Sequence, residues 1–503
     1  MPRTFITTAI PYVNSRPHLG FAMELVQADV AARHRRHRGR KVKFLTGTDD
    51  NSLKNVQAAE SEGVTTRALV DRNAAAFESL RDPLQISFDD FIRTSSDARH
   101  RPGVERLWLA AAANGDLYQK HYQGLYCVGC ELFYEEDELV AGACPEHFVV
   151  PQLVSEQNWF FRLSRYQDEL TELIESGRLR IEPDVRRNEV LGFIRQGLRD
   201  FSVSRSVERA RGWGIPVPDD PSQVVYVWFD ALINYITALH FGDPESEEYR
   251  TWWVEGDETV HVIGKGITRF HAVYWPAMLL SAGQPTPHTI FVHDYLTVDG
   301  KKIGKSLGNA VDPVSIVDIY GADALRWWLV REVPRVGEAD FTVPRLVARY
   351  HEDLSNGLGN LVNRTVSMVH RYREGRVPGG IELPADEPVV HACATVMARV
   401  DEAMRRFDFR SASAAVLDVV DAANRYVETV APWALAKSAK GGDEDAARQL
   451  DVALCTLVYS ARTIADELTP FLPAAARRMA AQLGDRQPEL PAPSPLFPRF
   501  ETD

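Results

Sequence analysis

The N-terminal residues alternate between β-branched runs and a helical pattern, and this alternation restricts the fold more than any other feature. Residues 4–10, TFITTAI, are rich in β-branched side chains and predict a buried strand. Residues 11–20 have turn chemistry, and an apolar i, i+4 spacing from Phe21 to about Arg38 predicts a helix. Residues 42–48, VKFLTGT, predict a second strand. A strand, a helix and a strand in this order open a parallel sheet, so we expect an α/β fold.

The remaining pattern predicts where this sheet is interrupted and where it ends. The alternation stops at residue 116, where short mixed elements begin, and it resumes at about residue 225. Further strands are predicted at 223–229, 259–264 and 289–298. In such sheets, ligands bind beyond the carboxyl ends of the strands, where residues 11–20 and 46–52 would lie.

We therefore expect five segments along the chain. They are the first half of an α/β domain (1–115), an insertion (116–225), the second half of the α/β domain (226–345), an Ala-rich helical bundle (346–483) and a Pro-rich, extended tail (484–503). The length of 503 residues suits several domains of ordinary size. We find no apolar run that could span a membrane and no pattern of a signal peptide, so we expect a cytoplasmic protein.

The formal net charge of −13 limits how the chain can bind nucleic acid. Because the average field repels phosphate, a nucleic-acid partner must meet a local basic surface. Two candidates are the run HRRHRGRKVK (34–43) and a set of separated arginines, Arg349, Arg364, Arg371, Arg373 and Arg376. The alternative for both is an ordinary solvated helix end, where cations are favourable.

Four potential metal ligands lie in the insertion as two pairs. Cys127 and Cys130 form a Cys-x-x-Cys pair, and after thirteen residues Cys144 and His147 form a Cys-x-x-His pair. Two such pairs are typical of a tetrahedral zinc site with thiolate and imidazole ligands. Because four protein ligands leave no position for water, we expect a structural zinc that stabilises the insertion. The alternative is reduced cysteines that lie near a histidine by chance.

A lysine-rich segment, DGKKIGKSLGN (299–309), follows the last predicted strand. It contains Gly-Lys-Ser like a P-loop, but a P-loop needs a glycine five residues before Gly304, where this chain has Asp299. An ordinary nucleotide loop is therefore not predicted. The lysines, serine and glycines still favour a flexible loop that binds phosphates.

Together these segments resemble the class I aminoacyl-tRNA synthetases, and among them the methionyl-tRNA synthetases. His18-Leu19-Gly20 is similar to the start of the His-x-Gly-His signature, and residues 302–306, KIGKS, are similar to the Lys-Met-Ser-Lys-Ser signature. The resemblance covers nearly the whole chain, including the runs RNEVLGFI, YVWFDALINY, RFHAVYWPAML and NRYVETVAPWALAK. It implies a Rossmann-type parallel sheet, split by a zinc-binding insertion and followed by an all-α bundle that resembles anticodon-binding domains.

The resemblance also implies an activity, which is ATP-dependent activation of methionine to the adenylate and transfer to tRNA(Met). The implied catalytic residues are His18, Lys302 and Lys305. The implied ATP site contains the same three residues with Gly20, Gly264 and Ser306. The implied methionine pocket contains Ile10, Tyr12, Asp49, Trp228, Ala231, Tyr235, Phe270, His271 and Trp275. The implied anticodon readers are Asn360, Arg364 and Trp433.

These residue types suit the chemistry that the resemblance implies. Aromatic side chains make favourable contacts with a flexible thioether, and the Asp49 carboxylate can bind the substrate ammonium. Lysines and a helix N-terminus favour the phosphates of ATP, which would carry Mg²⁺. Trp433 can stack on an unpaired base. An appended C-terminal domain common in relatives is absent, so we expect a monomer.

The chain departs from the family pattern at the reaction centre. Phe21 replaces the second histidine of the signature, Gly266 replaces an aspartate near the ribose, and Asn51 and Ser52 replace His-Gly in the Thr-Asp-Glu-His-Gly run. Lost contacts of this kind cost about 2–4 kcal/mol each. Three functions stay open: a divergent methionine–tRNA ligase; a ligase outside translation that passes the acyl group to a small amine or hydroxylamine, as in hydrazine-forming biosynthetic systems; and a tRNA-binding pseudoenzyme.

Overall fold

A computed structural model of the chain describes residues 1–127, 132–134, 136–145, 148–303 and 309–500. The strands are β1 (Arg3–Thr8), β2 (Lys41–Thr48), β3 (Asp90–Arg93), β4 (Leu117–Cys127), β5 (Leu132–Tyr134), β6 (Gln152–Phe161), β7 (Arg180–Glu182), β8 (Phe201–Ser202), β9 (Ser204–Ser206), β10 (Pro216–Val217), β11 (Asp220–Val225), β12 (Glu258–Gly264), β13 (Thr289–His293), β14 (Leu296–Val298), β15 (Lys301–Lys302) and β16 (Ala339–Phe341). The helices are α1 (Leu19–His37), α2 (Leu53–Glu62), α3 (Thr66–Glu78), α4 (His100–Ala113), α5 (Gln167–Glu175), α6 (Asp184–Arg195), α7 (Val227–Leu232), α8 (Asn234–Thr237), α9 (Glu247–Tyr249), α10 (Trp275–Ser281), α11 (Pro313–Arg331), α12 (Val343–Arg349), α13 (Asn360–Arg373), α14 (Pro388–Arg405), α15 (Phe409–Val430), α16 (Pro432–Lys440), α17 (Glu444–Leu468) and α18 (Pro473–Gln482).

A six-stranded parallel sheet in the order β3-β2-β1-β12-β13-β7 lies in the first of two compact units. This unit comprises Met1–Ala28, Gly39–Asp82 and Ile86–Asp294. Phe5 and Ile6 of the central β1 are both fully buried, as expected for a parallel strand covered on both faces. The chain order reverses between β1 and β12, and ligands of doubly wound sheets bind at such a point. The predicted α/β sheet is confirmed.

Two of the predicted strands are wrong in their extent. Residues 223–229 are not one strand, because β11 ends at Val225 and α7 begins at Val227. The run QVVYVWF is apolar throughout, so its composition does not mark the change from strand to helix. Residues 289–298 form two strands, β13 and β14, separated at Asp294. The buried Asp294 carboxylate pairs with Arg186 there, which ends the apolar run.

The inserted region folds mainly as an antiparallel sheet in the order β5-β4-β6-β8. Strands β4 and β6 pair from Leu117 opposite Phe161 to Tyr126 opposite Gln152. One element of this region belongs to the central sheet, since β7 pairs with β13 as its edge strand. Propensity alone did not predict this three-residue strand.

The second unit comprises Asp29–Arg38, Pro83–Gln85 and Tyr295–Asp503 and is mainly helical in its described part. Along α14, the buried side chains recur at helical spacing, which places one apolar face against the bundle. The guanidinium of Arg326, which is fully buried, lies 2.8 Å from the Asp29 carboxylate. The predicted helical bundle is confirmed. Among the described residues, no helix combines the length and apolar character that a membrane crossing requires.

In its described part, residues 484–500, the C-terminal tail has no regular element longer than three residues, and it packs on the helices of the second unit. Leu496 and Phe497 are buried, and the ring of Phe500 stacks on Tyr350 with centroids 4.3 Å apart. The Tyr350 hydroxyl donates a hydrogen bond to the Pro498 carbonyl at 3.0 Å. These contacts hold the irregular segment against the helices.

Candidate active site

His18 lies immediately before α1, at the carboxyl side of β1. Its carbonyl accepts hydrogen bonds from the backbone N–H groups of Phe21 and Ala22 at 3.0 and 3.2 Å. Its Nδ1 accepts from the backbone N–H of Gly20 at 3.1 Å. A Cβ at Gly20 would lie 2.9 Å from His18 Cε1, so only glycine allows this imidazole position. The predicted His18–Gly20 pair therefore surrounds a helix N-terminus, which favours anions.

Phe21 is a core residue. Its side chain is 8% exposed and packs edge-on against Phe77 of α3, with ring centroids 5.0 Å apart. Where the family signature has a second histidine, this chain therefore has an apolar contact between helices.

Asp49 follows β2 and lies beside the loop that follows β1. Its backbone N–H donates to the Pro11 carbonyl at 2.9 Å, and residues 12 and 49 form a parallel bridge. The Asp49 side chain is buried, and its Oδ1 accepts from the Asn51 backbone N–H at 3.1 Å. Burying a carboxylate is costly unless it is paired or hydrogen-bonded. Such a group at the ligand-binding end of a sheet suits an ammonium ligand.

Aromatic side chains from three separate segments meet next to this loop. The rings of Trp228 and Phe270 stack with centroids 3.9 Å apart and an interplanar angle of 7°. Tyr12 contacts Trp228 at 6.2 Å in an edge-on arrangement. Ala231 lies on the same helix as Trp228, and Ile10 packs on the same apolar core. These sequence-predicted residues are thus brought together by the loop after β1, by α7 and by the turn before α10.

Tyr235 and His271, two further residues of the predicted pocket, form a neutral polar pair. His271 Nδ1–H donates to the Ile267 carbonyl at 3.0 Å, so its Nε2 accepts from the Tyr235 hydroxyl at 2.7 Å. Burial lowers the pKa of His271 to about 4 and raises that of Tyr235. Both side chains are therefore uncharged near neutral pH.

Sequence reasoning missed His261, which supports this pair from the central sheet. The fully buried His261 accepts from Trp275 Nε1–H at 3.2 Å, and its Nδ1–H donates to Thr7 Oγ1 at 2.7 Å. Burial lowers the pKa of His261 well below its usual value. A histidine in the apolar strand TVHVIG was the signal that could have identified it.

Gly264 of the predicted ATP site, and Gly266, which replaces the family's aspartate near the ribose, lie at and just after the end of β12. Gly264 is the last residue of this strand, and a Cβ there would lie 3.3 Å from His293 Cε1. Gly266 is exposed in the short 3-10 turn Lys265–Ile267. Gly264 is thus close to a histidine ring, while Gly266 leaves a solvent-facing position without a side chain.

The lysine segment begins as a β-hairpin. Asp299 and Gly300 join β14 to β15 with positive φ angles of 51° and 71°, as a type I′ turn requires. Asp340 Oδ1 accepts from the Gly300 backbone N–H at 2.7 Å. The Asp-Gly pair is therefore a hairpin turn, which explains its failure to match a P-loop. Lys302 is the last residue of β15, whereas Gly304, Lys305 and Ser306 lie outside the described residues.

Comparison with known proteins identifies the family. The family model "tRNA synthetases class I (M)" matches residues 4–152 and 149–366, and "Anticodon binding domain of methionyl tRNA ligase" matches residues 377–495. The methionine–tRNA ligase of Brucella melitensis is 40% identical over 99% of this chain and 98% of its own length. The chain belongs to the methionyl-tRNA synthetase family.

Other relatives agree with this assignment. The methionine–tRNA ligase of Thermosynechococcus vestitus is 41% identical over 96% of this chain and 90% of its own length. The solved structure of Mycobacterium tuberculosis methionyl-tRNA synthetase in complex with methionyl-adenylate has a TM-score of 0.93 and 38% sequence identity, and the match covers 99% of this chain and 100% of that one. The family resemblance stated from the sequence motifs is confirmed.

Two of the four predicted zinc ligands can be located in this member of the family. Cys127 and Cys144 are 1% and 0% exposed and pack in one small cluster with Tyr134. Cys130 and His147 lie outside the described residues. Two buried thiols in one cluster suit the donor set of a zinc knuckle, so Cys127 and Cys144 are compatible with a bound zinc ion.

The predicted anticodon residues lie in the second unit on α13 and α16. Arg364 donates to Glu428 Oε1 at 2.7 Å, and Glu428 belongs to the last turn of α15. Trp433 lies in the first turn of α16 and is 46% exposed, which is unusual for so large an apolar side chain. Asn360 begins α13 and lines a surface cavity of about 460 Å³ with the C-terminal tail.

The two basic runs mostly form internal ion pairs. Arg38 pairs with Asp401 and Glu467, and Arg373 pairs with Asp451 at 2.7 Å. These arginines are paired with carboxylates of other helices, which argues against a broad nucleic-acid surface and also differs from the alternative of a solvated helix end.

Proposed function

We propose that the chain is a methionine–tRNA ligase, which activates methionine with ATP and transfers the methionyl group to tRNA(Met). The observation that carries this proposal is the buried carboxylate of Asp49, which is bridged to Tyr12, together with the stacked rings of Trp228 and Phe270 that Tyr12 contacts. The carboxylate suits the substrate ammonium, and the rings suit the thioether. Membership of the methionyl-tRNA synthetase family supports the same reaction.

The pocket chemistry selects an uncharged, polarisable side chain. Tyr235 and His271 satisfy each other by a hydrogen bond and carry no charge near neutral pH. A charged substrate side chain would be left without a counter-ion among these groups. A methionine thioether needs none and gains sulfur–aromatic contacts.

Activation requires the methionine carboxylate to attack the α-phosphorus of ATP while pyrophosphate leaves. We assign binding of the nucleotide phosphates to His18 and the backbone N–H groups at the start of α1. We assign stabilisation of the charge on the leaving pyrophosphate to Lys302, Lys305 and the Mg²⁺ that accompanies ATP. Gly264 and Ser306 complete the proposed nucleotide site, by similarity to the family.

Transfer requires recognition of the correct tRNA. We assign recognition of the anticodon to Asn360, Arg364 and the exposed ring of Trp433. Unpaired bases stack on aromatic side chains, and polar groups bind their edges. We further propose that the enzyme acts as a monomer and that residues 116–225 and 346–483 are its inserted and anticodon-binding domains.

Two assays separate the three open functions. Methionine-dependent ATP–pyrophosphate exchange reports activation, and charging of a tRNA(Met) transcript reports transfer. A methionine–tRNA ligase performs both. Exchange without charging indicates a small amine or hydroxylamine acceptor, and tRNA binding without exchange indicates a pseudoenzyme. Either of these two results would contradict the proposed function.

We also propose one structural zinc held by Cys127, Cys130, Cys144 and His147. When bound, zinc would stabilise the insertion by joining its two ligand pairs, without taking part in the reaction. Elemental analysis should find about one zinc per chain. The Cys127→Ser variant should lose most of it, whereas Cys455→Ser, which alters a cysteine of the helical unit, should keep it. Retention of zinc by Cys127→Ser would contradict this ligand assignment.

A further inference from the structure

A buried hydrogen-bond chain connects α4 and α7 to the loop that carries Asp49. His100 and Asp230 are both fully buried, and His100 Nε2–H donates to Asp230 Oδ1. The other ring nitrogen of His100 lies 2.8 Å from the Thr237 hydroxyl, which fixes the plane of the imidazole. Asp230 Oδ2 accepts from Asn51 Nδ2–H at 2.7 Å. Both carboxylate oxygens of Asp230 therefore have defined partners.

Asn51 transmits this arrangement to Asp49. Its side chain is held by Asp230 and also donates to the Thr94 carbonyl at 3.4 Å. Its backbone N–H donates to Asp49 Oδ1 at 3.1 Å. Because the side chain of Asn51 is anchored, its backbone N–H is held in place. This bond orients the Asp49 carboxylate together with the longer contact from Thr94 Oγ1 to Asp49 Oδ1 at 3.5 Å.

The fixed end of this chain lies on a helix that is packed independently of it. Asp230 lies on α7, which also carries Trp228 and Ala231. Burying an imidazole and a carboxylate costs desolvation free energy, and apolar side chains of similar size would fill this space without that cost. The network therefore has a physical purpose if it uses this helix as a fixed support for the Asp49 carboxylate.

We propose that His100 and Asp230 are positioning residues for the substrate amine, which act through Asn51 on the orientation of Asp49. The inference rests on the proposed function, in which Asp49 binds the ammonium group. A charge-assisted hydrogen bond depends on direction, so a carboxylate free to rotate binds the ammonium less well. The role of Asn51, which departs from the family pattern, is then to donate to Asp230 while presenting its backbone to Asp49.

The Kd values of three ligands distinguish a loss of Asp49 orientation from general damage to the proposed pocket. Methionine and methioninol both carry the ammonium group, whereas γ-(methylthio)butyrate has the same thioether chain without it. Calorimetric Kd values are measured for wild type, Asn51→Ala and His100→Gln. For both variants, the Kd values of the two amines should rise about tenfold, the equivalent of about 1.4 kcal/mol, while the Kd of the deamino acid changes less than about twofold. Equal weakening of all three ligands, or of none, would overturn the proposal.

Further variants exclude a purely structural role. Ser281→Ala removes another buried hydrogen bond, from Ser281 to Asp116, and should lower the melting temperature without changing any of the three Kd values. The double variant of Asn51 and His100 should bind the amines no worse than the weaker single variant, because both changes break one chain. Additive losses would mean that the two residues act separately and would contradict the proposal.

The ligand preference of wild type distinguishes failure of this inference from failure of the proposed function on which it rests. If wild type binds both amines more tightly than γ-(methylthio)butyrate, the Asp49 assignment stands, and a uniform weakening in the variants rejects only the positioning role. If wild type does not prefer the amines, the ammonium assignment of the proposed function fails as well.

Discussion

At the residue scale, the proposed methionine pocket combines one carboxylate with uncharged polar and aromatic side chains. Asp49 is the proposed partner of the ammonium, while Tyr235 and His271 form a neutral pair next to the stacked rings. Desolvation by burial keeps the imidazole neutral, because a charged ring would lose its hydration. The same burial that suits a thioether therefore makes this part of the fold sensitive to acid.

Protonation of His271 in acid should lower the free energy of unfolding. Its pKa falls from 6.5 to about 4 on folding, so the unfolded chain binds a proton between these values and the native chain does not. Stability due to the neutral ring is full above pH 6.5 and is lost as the pH falls toward 4. Between pH 7.5 and 5, wild type should lose about 2 kcal/mol more free energy of unfolding than His271→Gln. Urea unfolding at both pH values measures this difference.

A matched control for this measurement is His121→Gln, which alters an exposed histidine of the insertion. In acid, this variant should lose as much free energy of unfolding as wild type loses. Equal losses in His271→Gln and wild type would show that His271 titrates normally and would contradict the neutral pair.

At the scale of elements, long-range contacts explain what the sequence did and did not predict. The β–α–β start was predictable because its apolar spacing is local and its strands are covered on both faces. The change from strand to helix before Trp228 was not, since QVVYVWF is apolar in both conformations. The pairing of His100 with Asp230 joins residues 130 positions apart, and no local pattern predicts such a contact. Likewise, the position of Phe21 depended on Phe77 of another helix.

The hairpin between β14 and β15 should support the lysine segment. Asp340 Oδ1 accepts from the Gly300 backbone N–H and from the Thr297 hydroxyl, at 2.7 and 2.8 Å. Asp340→Ala removes both acceptor contacts and should lower kcat for pyrophosphate exchange by roughly tenfold, with the Kd of methionine unchanged. Asp340→Asn keeps an oxygen acceptor and should retain most of the activity. An Asp340→Ala enzyme with normal kcat would show that the turn does not support catalysis.

The first turn of α16 should affect charging but not activation. Trp433→Ala removes a ring that is 46% exposed, so thermal stability should change little. Loss of one stacked base should lower kcat/KM for tRNA(Met) charging by roughly tenfold to a hundredfold, with pyrophosphate exchange intact. Tyr459→Ala removes another exposed aromatic of the same unit, 39% exposed, and should charge normally. Equal effects of the two variants on charging would reject the assignment of Trp433.

At the scale of the whole molecule, the proposed activation residues are divided between the two compact units, because Lys302 belongs to the second unit. The first unit contains the parallel sheet with Asp49 and the aromatic pocket, and the second contains the helical bundle with Trp433. With a net charge of −13, the protein depends on local groups to bind tRNA. Phe21 and Gly266 depart from the family pattern at the reaction centre. We therefore expect activation to be the step that these departures affect most.

Methionine-dependent ATP–pyrophosphate exchange by wild type and Asp49→Asn tests the central claim most directly. Wild type should catalyse exchange with methionine and not with leucine or glutamate. Asp49→Asn keeps the size of the side chain and removes its charge, so kcat/KM for methionine should fall by roughly a hundredfold. Absence of exchange by wild type, or full exchange by Asp49→Asn, would contradict the account.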